Sequence, residues 1–355
     1  MEALRLIAIA GIAVFHTFQP WFYQATGTGW LDVTWQVSPI TLALLGCINL
    51  LGAWGNNVFF MISGYFLLPK AISAAGNKEY WSSQAKGIAR RATSVLAAVL
   101  LYSLLSLGLG LFVQFEGLGT QGIKWLLTSL EFIWVYLVII VITPAIAYAW
   151  NKPHRSKAII FVYVTAVIGL SFYVAFFSQG GSERGLLEWR KLLSAATYLA
   201  AYLVGGLLAE HPKKPKETSR NLIGSIVASI ALETAIAASN NLTLLAATSF
   251  KSTSALSFVL AVASVHHAVM TTQKAKTYRA INQLAKSVIG FYICQSLFNS
   301  IWEPYSEQLL SQALSMGGEA LLIFVGIIFS AALLVAFMAL DQLVRIPLFK
   351  RFHLA

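Results

Sequence analysis

The chain has 355 residues, of which 57% are hydrophobic and only 11% charged, and its mean hydropathy is +0.70, whereas ordinary globular proteins carry about 25% charged residues. So little charge excludes a water-soluble globular protein and points to a chain whose apolar residues face lipid. The net charge of +11 is clustered between apolar runs, which suits a membrane rim meeting anionic lipid headgroups or an anionic cytosolic ligand and gives no reason to invoke nucleic acid.

Apolar runs of about 20 residues, each able to cross about 30 Å of hydrocarbon as a helix, recur at about 4–23, 49–69, 92–113, 124–149, 158–178, 191–209, 221–239, 252–272, 283–301 and 319–344. The first has the positive flank of a signal sequence but is too long and lacks a small-residue cleavage site, so it reads as a retained helix. Before the second, the apolar stretch from Ile40 to Leu68 exceeds one crossing and "GAWGNN" (52–57) interrupts it, which predicts an outer interfacial helix followed by the crossing. Basic residues then set the sides. With the N-terminus inside, Arg5, Lys70, Lys78, Lys86, Arg90, Arg91, "NKPHRSK" (151–157), "HPKKPKETSR" (211–220), "QKAKTYRAINQLAK" (273–286) and "RIPLFKRFH" (345–353) put 20 of the 25 Lys and Arg in the cytoplasm, as the positive-inside rule requires. Only Lys124, Arg184, Arg190, Lys191 and Lys251 fall outside.

The expected fold is all-α: a polytopic integral membrane protein of about ten transmembrane helices, both termini cytoplasmic, forming a single membrane-embedded domain over 1–355. Cys47 and Cys294 lie in different apolar helices, so neither a disulfide framework nor a metal-ligand spacing is visible. Asn241-Leu-Thr is a formal glycosylation sequon in a short outer turn, with nothing else to suggest a glycosylated protein. No soluble appended domain, low-complexity segment or internal repeat is evident.

Ionisable residues inside spanning helices are candidates for function, because each is expensive unless paired or hydrated. Arg5 lies near the cytoplasmic boundary and His16, eleven residues on, about 16 Å deeper. Eleven residues are close to three turns, so the two share a helix face. By the same counting Asn56, Asn57, Glu131, Glu233 and Gln295 fall in the middle or outer half of the bilayer. His266 and His267 lie about 11 Å from the cytoplasmic end of their helix. A buried imidazole is well suited to taking and returning a proton near neutral pH. The structural alternative is that Arg5 snorkels to the interface, His16 bonds a neighbouring helix and both glutamates are satisfied carboxyls.

"LRLIAIAGIAVFH" (4–16) resembles the Arg-x10-His signature on the first helix of the acyltransferase-3 family of integral-membrane O-acyltransferases. "NNVFFMISGYFLL" (56–68) resembles that family's "FFxxSGY" segment, which precedes a basic cytoplasmic loop. "KGIARRATSVL" (86–96) is similar to the basic opening of its third helix, "EFIWVYLVIIVITPAI" (131–146) to its Trp-containing fourth helix, and "TYLAAYLVGGLL" (197–208) to a later Tyr/Gly-rich helix. The resemblance covers essentially the whole chain. One departure is "GFYICQ" (290–295) where many members read "GxYLxH". Gln295 can hold a hydrogen bond but cannot relay a proton.

The resemblance implies transfer of an acyl group, commonly acetyl, from cytosolic acyl-CoA to a hydroxyl of a glycan or lipid-linked saccharide. Arg5, Arg90 and Arg91 would then hold the phosphates of the donor, and His16 would act as general base or carry the acyl group covalently. Asn56, Ser63 and Tyr65 would support the acceptor, Glu131 would orient the imidazole or the acceptor, and Gln295 would position substrate. Acyl-CoA is the co-substrate; no tightly bound cofactor and no metal is expected, and the location implied is a bacterial plasma membrane. Close packing through small residues is the competing reading of Ser63-Gly64, and a cytoplasmic helix end that of Arg90 and Arg91. A secondary transporter or flippase is the main rival, though such folds show paired broken helices and only 52–57 looks broken. A sensor or inactive relative is the other.

Overall fold

The computed structural model describes residues 1–27, 29–31, 33, 35–112, 129–151, 156–176, 184–210, 215–249, 254–272 and 278–352. The basic segments 152–155, 211–214 and 273–277, with Lys124 and Lys251, lie outside these residues. Where no water can serve backbone groups, a helix satisfies its own, and the described residues are mostly helical, with no strand among them. They are α1 (Glu2–Ala25), α2 (Pro39–Ala74), α3 (Tyr80–Phe112), α4 (Glu131–Trp150), α5 (Ser156–Phe176), α6 (Arg184–Glu210), α7 (Pro215–Ala238), α8 (Leu242–Thr248), α9 (Ala255–Thr272), α10 (Arg279–Ala285), α11 (Val288–Leu297), α12 (Asn299–Leu343) and α13 (Arg345–Arg351).

Among the described residues, eight helices are long and apolar enough to cross a membrane, against the ten runs read from sequence. The first seven runs correspond to α1–α7. The eighth gives α9, whose apolar part, Ala255–Thr271, is shorter. The ninth, 283–301, is divided between α10, α11 and the start of α12, because the chain turns at Lys286, whose carbonyl accepts from Arg345 Nη2 at 2.7 Å. The tenth is the second arm of α12, set off from the first by Gly318 at φ +69°, a backbone conformation that favours glycine.

The interfacial helix expected before the second crossing is not separate: α2 runs unbroken over 36 residues. Its glycines are packing surfaces. Gly52 faces the Phe15 ring and Gly55 faces Ile12 and the Ala8 carbonyl, while Gly11 receives Trp54, so small residues let α1 seat on α2. The break that the sequence suggests at 52–57 is absent.

The chain divides into two compact units, one of residues 1, 3–76 and 143–276, the other of 2, 77–142 and 277–355. In the first, α2 packs against α6, α7 and α9. Gly64 of α2 and Gly205 of α6 meet backbone to backbone, Gly64 against the Tyr202 carbonyl and Gly205 against the Met61 carbonyl, a geometry suited to Cα–H···O contacts. Trp150 Nε1 donates to Glu210 Oε1 at 2.9 Å, Lys157 Nζ pairs with Glu210 Oε2 at 2.7 Å, and Ser219 Oγ shares a hydrogen bond with His267 Nδ1 at 3.3 Å. These pairs gather the end of the unit expected to face the cytoplasm. At the other end Asn241 caps α8, accepting from Leu244 N at 3.0 Å, which gives the sequon asparagine a structural use.

The second unit is built on a core that includes Val99, Tyr102, Ile133, Ile293, Leu297 and Trp302. Wholly buried Asp341 accepts from Tyr102 Oη at 2.7 Å and from Arg345 Nε and Nη2 at 2.6 and 2.8 Å, with Gly290 leaving it room. Gln342 Nε2 donates to the Gln283 carbonyl and Ser287 Oγ at 2.9 and 2.7 Å. Together these bonds tie the end of α12 to α10 and α11. On α3, Leu100, Leu104, Leu107 and Leu111 are exposed. Their helical spacing makes one apolar stripe, as a lipid-facing surface requires.

Candidate functional site

Arg5 and His16 stand on one uninterrupted helix, α1, so the shared face expected from their spacing holds, and both are part-buried. The Arg5 guanidinium lies over the Phe66 ring, 5.9 Å from its centroid, and Phe66 meets Tyr65 edge-on at 5.1 Å. This is a cation–π contact that holds the guanidinium at the level of the last turns of α2. His16 packs edge-on against Phe15, 4.9 Å between ring centroids, and Phe15 in turn covers Gly52. The imidazole is thus set at the level of the middle of α2, three helical turns from the arginine.

One turn along α2 from Gly52, Asn56 Nδ2 donates to Tyr198 Oη of α6 at 3.0 Å, and the Tyr198 ring stacks on Phe60 at 4.6 Å and 14°. Asn57 is wholly buried beside it. Ser63 is part-buried and precedes Gly64, the glycine of the α2–α6 contact. The first unit therefore brings Arg5 together with the Tyr65–Phe66 pair of α2, and Asn56 of α2 together with Tyr198 of α6.

The remaining candidates belong to the second unit. Arg90 is exposed and Arg91 part-buried on α3, and Glu131, part-buried, opens α4. Gln295 is 3% exposed on α11. Its carbonyl accepts from Trp302 Nε1 at 2.9 Å, and among the described residues its side-chain nitrogen has no hydrogen-bond partner. Two polar groups escaped the sequence reading. Tyr198 was quoted only as part of a motif, although a tyrosine in a spanning helix needs a partner for its hydroxyl. Asp341 and Arg345, an i,i+4 pair of opposite charge, carry the signal of a helix-face ion pair, although Arg345 also reads as one of the basic residues of the segment 345–353. Cys47 and Cys294 are both free, and no group of three or more His, Cys, Asp and Glu that could hold a metal occurs among the described residues.

The arrangement in the first unit offers a fixed cation, a set of aromatic and amide side chains and an imidazole, strung along a few turns of α1 and α2. Such a string can hold an anionic group at one level and handle a proton at another. A family model described as "Acyltransferase domain" matches residues 1–340 of the chain. No curated protein and no solved structure matches it.

Proposed function

Because the chain belongs to the acyltransferase-3 family of membrane O-acyltransferases, we propose that it moves an acyl group, acetyl in the simplest case, from cytosolic acyl-CoA to a hydroxyl of a glycan or lipid-linked saccharide. The observation that carries this reading is Arg5 and His16 on one face of unbroken α1, within a family match that spans nearly the whole chain. In this mechanism Arg5, with Arg90 and Arg91, binds the phosphates of the donor, and the thioester lies at the level of His16. The imidazole takes the proton of the acceptor hydroxyl as its oxygen attacks the thioester carbonyl. The carbon–sulfur bond then breaks, and the imidazolium returns the proton to the leaving thiolate, giving the O-acyl product and free CoA thiol.

Asn56, held by Tyr198, with Ser63 and Tyr65 supports the reacting groups; Glu131 orients imidazole or acceptor, and Gln295 holds substrate by hydrogen bond where a proton relay is not needed. The enzyme works as one membrane-embedded domain in a plasma membrane with both termini in the cytoplasm, and uses acyl-CoA as co-substrate without a resident cofactor.

Calorimetric titration of the purified protein with acetyl-CoA and with free CoA tests the donor. Micromolar binding that survives His16→Ala and weakens in Arg5→Ala and Arg90→Ala is the expected result; absence of donor binding in both lipid and detergent overturns the reading.

A further inference from the structure

Glu233 is the strongest anomaly outside the proposed site. It is 0% exposed on α7, and among the described residues neither carboxyl oxygen has a hydrogen-bond partner. Its Oε2 is seated in the notch left by Gly46 of α2, 2.5 Å from where a β-carbon on that glycine would stand, and Leu245 of α8 closes the same notch. One turn further along both α2 and α8, Asn49 is 3% exposed and uses its Nδ2 on the Ser249 carbonyl at 2.7 Å and on Ser249 Oγ at 3.1 Å. Those bonds fix the amide with Oδ1 left over, again without a partner. The Cys47 thiol lies within electrostatic reach of Glu233.

The chemistry is one-sided. Two carboxylate oxygens and an amide oxygen are acceptors only, the Ser249 carbonyl keeps a second lone pair, and the donors of Asn49 are already spent. A buried carboxyl is neutralised by a proton or met by a counter-charge or a metal, and an intramembrane one is a functional position by default. The carboxyl is wholly enclosed by protein, which shuts out a sugar or a CoA arm. A proton would serve one oxygen, whereas a metal cation can be shared by several oxygens at once, as hard cations are. We propose that Glu233 and Asn49, with the Ser249 carbonyl, form a sodium-ion site between α2, α7 and α8, in the half of the first unit away from the Glu210 end, where the ion joins three helices. This site is independent of the acyl-transfer reading.

The test uses the full chain in lipid nanodiscs. Thermal unfolding is followed against sodium chloride, with potassium and choline chloride at matched ionic strength, for wild type, Glu233→Gln and Gly46→Ala, beside equilibrium binding of radiolabelled sodium to wild type. The expected result is a saturable rise in Tm of wild type specific to sodium, one ion bound per chain, and no sodium response in Glu233→Gln. Three outcomes overturn the proposal: no saturable sodium binding by wild type, an unchanged sodium response in Glu233→Gln, or stabilisation by acidification alone. If both variants fail to fold, Asn49→Ala in the same binding assay decides the matter, and unchanged sodium binding by it overturns the proposal.

Discussion

His16 and Arg5 divide the proposed chemistry, and their substitutions should separate accordingly. General-base catalysis contributes about 10²–10⁴-fold, so His16→Ala should lower kcat by at least about 10²-fold with acyl-CoA affinity and Tm unchanged. Arg5→Ala should instead weaken donor binding and loosen the contact with Phe66; steady-state kinetics beside donor titration distinguish the two. An equal loss of folding in both variants would assign α1 a purely structural role. Asp341 makes a different prediction. It is 0% exposed and bonded by Tyr102 and Arg345, and removing one partner of a buried pair typically destabilises by about 3–5 kcal/mol. Arg345→Ala should therefore lower Tm sharply, while Arg345→Ala with Asp341→Leu should recover much of the loss, as measured by unfolding of the purified protein.

At the scale of helices, α2 and α6 cross backbone against backbone. A methyl group on Gly64 or Gly205 would meet backbone carbonyls, which cannot yield as a flexible side chain can, whereas Gly108 of α3 has open space around it. Gly64→Ala and Gly205→Ala should each destabilise by about 1–3 kcal/mol or more. Gly108→Ala should be neutral or stabilising by up to about 1 kcal/mol, the helix preference of alanine over glycine. Comparable losses in all three would mean that helix propensity and not close approach governs these positions. The same contact explains why "GAWGNN" misleads as a sequence: in water two glycines weaken a helix, but against α1 they exchange propensity for packing, so α2 continues to Ala74.

For the whole molecule, the arrangement of sides is an expectation from the basic loops, and it concerns the two ends of the first unit. Trp150, Lys157 and Glu210 meet at one end, and Asn49 and Ser249 meet at the other. Cysteines placed at Gly76 and at Ser315, both exposed, should react with a membrane-impermeant maleimide from opposite sides, Gly76→Cys only after the membrane is opened and Ser315→Cys in intact cells. Labelling of both from the same side would break the predicted alternation.

Much of this protein was legible before folding. Without water to bond the backbone, an apolar run must become a helix, so composition and hydropathy alone yield an all-helical membrane chain. Helix periodicity is local, so eleven residues place Arg5 and His16 on one face whatever surrounds them. The ninth crossing was not legible, because its turn at Lys286 depends on Arg345, 59 positions away. Nor was the partnership of Asn56 with Tyr198, 142 positions apart, or that of Tyr102 with Asp341, 239 apart. Periodicity says which face a residue occupies and says nothing of which helix that face will meet. The sealing of Glu233 behind Gly46, the use of glycines as contact surfaces and the division into two units were decided by tertiary packing, where shape between distant segments, and not hydropathy along one of them, selects the partner.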